Sequence, residues 1–168
     1  MIAATVSANT RRSLPFMKRA LIAGLAIALS AGALTAGAAL AYDAASQIKD
    51  RQAGMKQIGG AIKGLNDTLN GDKDPAKLKQ YAANLNALSG KVPGWFPAGT
   101  GPSSGEKTKA SAEIWTDPAG FKAAAGAFAA QAAKLNAAAQ SGDAARVAAE
   151  FGPTRATCKG CHDKYQKK

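Results

Sequence analysis

The stretch Cys158-Lys159-Gly160-Cys161-His162 holds the only two cysteines and the only histidine of a 168-residue chain, close to its C-terminal end. That arithmetic excludes most chemistry these residue types perform. A zinc site takes about four ligands, and no further Cys or His exists to complete one. A thioredoxin-like CxxC wants a βαβ setting, and nothing in the chain reads as strand. A plain disulfide would leave His162 unexplained. The spacing that remains is C-x-x-C-H, the pattern for covalent haem attachment, with both thiols forming thioethers. On a helix, a three-residue interval puts both sulfurs on one face, and His162 follows directly as the proximal iron ligand. One haem c, bound through Cys158 and Cys161, is the expected cofactor.

The N-terminal part reads as export machinery rather than domain. Residues 1–41 carry Arg11, Arg12, Lys18 and Arg19 and no acid. An apolar run, LIAGLAIAL at 21–29, leads to Ala39-Leu40-Ala41. A basic start, an apolar middle and an A-x-A end describe a signal peptide cut after Ala41. The glycines and hydroxyl residues that dilute the run argue against a retained membrane anchor. Arg11-Arg12 fits a twin-arginine signal poorly. The expected product is a periplasmic domain, residues 42–168, with no stable membrane insertion. Of 22 Lys plus Arg, 18 remain in it against 11 Asp plus Glu, a formal +7. Export removes nucleic acid as a partner, which leaves an acidic protein as the natural complement.

The mature part reads as four amphipathic helices. The first opens at Asp43 and runs to Asn70-Gly71, with Ile48, Met55, Ile58, Ile62, Leu65 and Leu69 on one stripe. Asp74-Pro75 and Asp117-Pro118 each pair an N-cap with proline at the first helical position. Leu78, Tyr81, Leu85 and Leu88 follow the first pair, and Phe121, Phe128 and Leu135 the second. Asp143 caps a fourth helix through Val147 and Phe151, which Gly152-Pro153 should kink. Residues 90–116 form a connection longer than compact domains favour. Its Trp95, Phe96 and Trp115 imply that it lies against the rest. The fold expected is all-α, an antiparallel up-down-up-down four-helix bundle whose seam houses the cofactor.

With these parts in place, the chain resembles the cytochrome c′ family, the class II c-type cytochromes, over essentially all of 42–168. The resemblance rests on RQAGM at 51–55, PGW at 93–95, EIWTDPAGF at 113–121 and CKGCHDKY at 158–165. It implies a four-helix bundle with haem near the C-terminus, and it puts Arg51 and Gln52 by the haem propionates. Position 55 would face the iron on the distal side. Many members dimerise, so a homodimer stays open. One departure is Gln166, where the family commonly carries Arg or Lys.

Two outcomes follow for the sixth iron position. A second histidine is impossible, and Met55 is the only methionine outside the leader. If Met55 ligates iron, as the resemblance to the c-556-type branch implies, the protein is an electron carrier with both axial positions filled. Gly54, Gly59 and Gly60 beside it, and the Gln52-Met55-Lys56 arrangement, favour that outcome. The alternative is a five-coordinate, high-spin cytochrome c′ that binds small gases such as nitric oxide. No nucleophile–base pair supports an enzyme. Lys159, Lys164, Lys167 and Lys168 would frame the haem edge and steer an acidic redox protein.

Overall fold

Three aspartates set the starts of three helices. Asp74 accepts hydrogen bonds from the backbone N–H of Ala76 and Lys77, at 2.8 and 3.4 Å. Asp117 accepts from Gly120 N at 3.0 Å, and Asp143 from Ala145 N and Arg146 N at 2.8 and 3.3 Å. Each satisfies donors that a helix N-terminus leaves orphaned. The computed structural model describes the backbone of residues 32–168 and the side chains from residue 43 onward. Its helices are α1 (Gly32–Asn70), α2 (Pro75–Ser89), a single turn α3 (Glu113–Thr116), α4 (Pro118–Gln140) and α5 (Ala144–Tyr165).

One boundary differs from the sequence reading. The first helix does not open at Asp43 but runs unbroken from Gly32. Its early turns, GALTAGAALA, are dominated by alanine and leucine, the strongest helix formers, so in the uncut chain Asp43 is an interior residue. The expected signal peptide, residues 1–41, lies largely outside the described residues. Helix α5 runs through Gly152-Pro153 without a break, so the proline does not end the helix. Pro153 is exposed, and the carbonyl it fails to satisfy belongs to the exposed Ala149, which water can reach. Burial of Val147, Phe151 and Thr154 on either side holds the helix to its course.

The long helices pack in sequence, α1 on α2, α2 on α4 and α4 on α5, as an up-down-up-down four-helix bundle. Leu65, Leu85, Leu135 and Val147 are fully buried in its core, and burial of each stabilises by about 1.5–3 kcal/mol. Alanines at 125, 132 and 139 on α4 are also buried and let neighbouring helices approach closely. Gly64 does the same for the Tyr81 ring, which a Cβ would meet at 2.5 Å. In contrast α1 and α5 scarcely touch, and that seam is where the site forms. No helix among the described residues is long and apolar enough to cross a membrane.

The connection at 90–116 is folded. It makes two 3-10 turns, Val92–Trp95 and Pro102–Ser104, before α3. Residues 109–111 then pair antiparallel with the chain leaving α5: Ser111 N donates to Tyr165 O at 3.0 Å and Lys167 N to Lys109 O at 2.8 Å.

Candidate functional site

Between α1 and α5 lies a cavity of about 740 Å³, within the range of roughly 300–1,000 Å³ common for cofactor and ligand sites. Cys158, Cys161 and His162 on α5, and Arg51, Gln52 and Met55 on α1, all line it. The sequence separates these two groups by about a hundred positions; the bundle brings them to one space. Ala125 and Phe128 from α4, with Ile58, Gly59 and Ile62 from α1, make much of the wall apolar. Phe121, Tyr165 and Phe96 close one end as an edge-to-face aromatic run, with centroids 4.9 and 5.4 Å apart.

Helical spacing delivers both thiols to this cavity, as the i, i+3 interval requires. Both cysteines are free and half-buried, and the Cys158 thiol donates to Thr154 O at 3.5 Å. Burial raises the pKa of each thiol above its usual value. A dithiol built for disulfide exchange needs the opposite shift, toward thiolate. Among the described residues no three of His, Cys, Asp and Glu gather as a metal-binding cluster.

Arg51 is a buried cation, 3% exposed. Its guanidinium donates to Thr100 Oγ1 and Thr100 O, both at 3.1 Å, to Thr108 Oγ1 at 2.8 Å and to Trp95 O at 3.5 Å. It also lies 4.7 Å from the centroid of the Phe96 ring. Burial lowers its pKa from the usual value, yet all these partners are neutral. Gln52 Nε2 donates to Lys107 O at 3.0 Å. The two residues thus anchor the connection at 95–108 across the mouth of the cavity. Thr100 and Thr108 carried no signal in the sequence, since threonines in a loop rarely announce a buried partner. Phe121 and Phe128 were legible as a helical stripe.

The glycines near Met55 differ in what each makes room for. A Cβ on Gly54 would meet the Trp95 ring at 2.5 Å, so this glycine admits an indole. Gly60 faces open space and lines no cavity. Only Gly59 lies on the cavity wall, and a Cβ there would meet nothing.

Charge around the site is one-sided. Arg51, Lys56, Lys109 and Arg155 line the cavity, and no carboxylate does. Lys159 and Lys164, expected to present free charge, are paired with Asp163 at 2.5 Å and Asp117 at 2.6 Å. Tyr165 OH also donates to Asp117, at 2.9 Å.

A haem fits this donor set: two reduced thiols on one helix face, an imidazole beside them, an apolar wall for the macrocycle and cations for its two carboxylates. The Cytochrome C′ family model matches residues 46–166. Cytochrome c′ of Rubrivivax gelatinosus is 44% identical over 98 residues, 57% of this chain and 75% of that protein. Its crystal structure superposes with a TM-score of 0.68 at 35% identity, covering 74% of this chain and 97% of the other. A nitric oxide complex of a mutant cytochrome c′ from Alcaligenes xylosoxidans gives 0.65 at 35% identity, covering 73% and 94%. Cytochrome c-556 of Agrobacterium tumefaciens is 32% identical over 126 residues, 74% of this chain and 99% of that protein. With more than half its length matched by the family model and a bundle that superposes on these structures, the chain belongs to the cytochrome c′ family and carries a covalently bound c-type haem.

Proposed function

We propose that this protein is an exported cytochrome c′ that takes up a small uncharged gas, nitric oxide being the model, on the Met55 side of its haem. Cys158 and Cys161 hold the haem, His162 ligates the iron, and Arg51 and Gln52 lie by the propionates. The observation that carries the reading is the composition of the wall beyond Met55. Ile58, Gly59, Ile62, Ala125 and Phe128 offer no side-chain hydrogen-bond donor or charge, so these five positions suit an apolar diatomic better than a polar substrate that would lose its hydrogen bonds there. The nitric oxide complex of the Alcaligenes xylosoxidans relative supports the same reading. The haem, when bound, supplies the iron chemistry; the chain's part is to anchor it, orient His162 and keep that wall dry. Cleavage after Ala41 and a periplasmic location belong to this proposal.

A second reading keeps Met55 as a permanent sixth ligand in a low-spin electron carrier. It is favoured by the placement of that thioether on the cavity wall and by the c-556 relative. Optical spectra of the purified holoprotein decide between them. A high-spin ferric spectrum at neutral pH, with rapid carbon monoxide uptake by the ferrous form, is expected. A low-spin spectrum with a far-red methionine–iron band that disappears in Met55→Ala would establish the electron carrier instead. In either case Cys158→Ser with Cys161→Ser should lose haem to acid extraction.

A further inference from the structure

A second space adjoins the cavity. A groove of about 290 Å³ lies along the α1–α5 seam, lined by Gly59, Ile62, Lys63, Asn66, Phe151 and Arg155. Gly59, Ile62 and Arg155 line both spaces, so the groove and the cavity share a wall. Of the glycines in this part of α1, Gly54 and Gly64 make room for the rings of Trp95 and Tyr81. Gly59 makes room for nothing in this chain, although it sits in a helix interior, where glycine is unfavourable. It lies on the wall that the two spaces share.

The lining of the groove is mixed. Ile62 and Phe151 give it an apolar side, Lys63 pairs with Asp67, and the Arg155 guanidinium stays in the lining, 5.9 Å from the Phe151 ring centroid. We propose that Gly59 keeps open a passage along the α1–α5 seam, through which an uncharged diatomic gas reaches the Met55 side of the cavity. This rests on the gas-binding reading. A Cβ at position 59 would face open space on a wall of both the cavity and the groove, whereas Gly60 lines neither.

The test compares the parent holoprotein with Gly59→Leu and Gly60→Leu. Carbon monoxide association with the reduced protein, followed by stopped flow, should slow by about one decade in Gly59→Leu. Its dissociation should slow by the same factor, since one passage serves both directions and leaves affinity unchanged, and Gly60→Leu should match the parent in both rates. Crystals of the parent pressurised with xenon should show the gas in the groove, and Gly59→Leu crystals should not. An unchanged association rate in Gly59→Leu, or an altered spectrum showing that Gly59 only accommodates the macrocycle, would overturn the passage. A parent that is low spin and takes up no carbon monoxide defeats the gas-binding reading alone. The xenon result then decides the passage: occupancy sustains it, and an empty groove ends it.

Discussion

Gly54 and Gly60 occupy the same helix, yet replacing them with alanine should have opposite effects. At Gly54 the new methyl collides with the Trp95 indole at 2.5 Å, an overpacking that costs about 1–3 kcal/mol. At Gly60 it meets nothing, and the gain in helix propensity is about 0.5–1 kcal/mol. Urea unfolding of the two variants, with Trp95 emission as a local probe for the first, checks both signs. Asp117 offers a pH signature. Hydrogen bonding, chiefly from Lys164, holds its carboxyl down to about 2, well below the ordinary value of about 3.9. A depressed acid contributes its full stability above the ordinary pKa and loses it as pH falls through the folded one. The melting temperatures of the parent and Asp117→Asn should therefore differ at pH 5–7 and converge between about pH 4 and pH 2. At this scale the thiols, His162 and Met55 were legible because each is unique or nearly so. Arg51 was placed by resemblance, but its partners Thr100 and Thr108 were not, because nothing local marks a hydroxyl that a distant guanidinium will need.

The three aspartate caps were plain in the sequence because capping is local chemistry. The start of α1 was not, since a helix can extend through any alanine-rich run that precedes it. The continuity of α5 has the same lesson: Pro153 acts locally, but the buried Phe151 and Thr154 on either side keep the helix from ending there. If that packing carries the helix, Pro153→Ala should restore one backbone hydrogen bond without moving the core. The expected net gain is about 1–2 kcal/mol, after subtracting proline's restraint on the unfolded chain. Equilibrium urea unfolding measures it. A loss of stability would mean that the ring itself is part of α5's native course.

For the whole molecule, the four-helix bundle followed from four apolar stripes and their aspartate caps, whereas the distribution of charge needed coordinates. The lysines inside and just after the CxxCH motif looked like the docking face, but Lys159 and Lys164 already have carboxylate partners. Lys56, Lys109 and Arg155 line the cavity and make no salt bridge among the described residues. Electron exchange with a negatively charged redox protein should slow as salt rises, because the Debye length falls from about 30 Å at 0.01 M to about 8 Å at 0.15 M. Lys109→Glu should slow it more than Lys159→Glu at low salt. Equal effects would return the docking face to the C-terminal segment.

The pairing of residues 109–111 with the tail after α5 also works as a latch. Ser111 N and Lys167 N each reach across it, so the connection that follows α2 and the end of the helix bearing Cys158, Cys161 and His162 are fastened to one another by backbone alone. Main-chain bonds are indifferent to side-chain identity. The latch therefore survives replacement of the side chains of Lys109, Ser111, Gln166 or Lys167, and only a residue without an N–H, as in Ser111→Pro or Lys167→Pro, removes one of its donors.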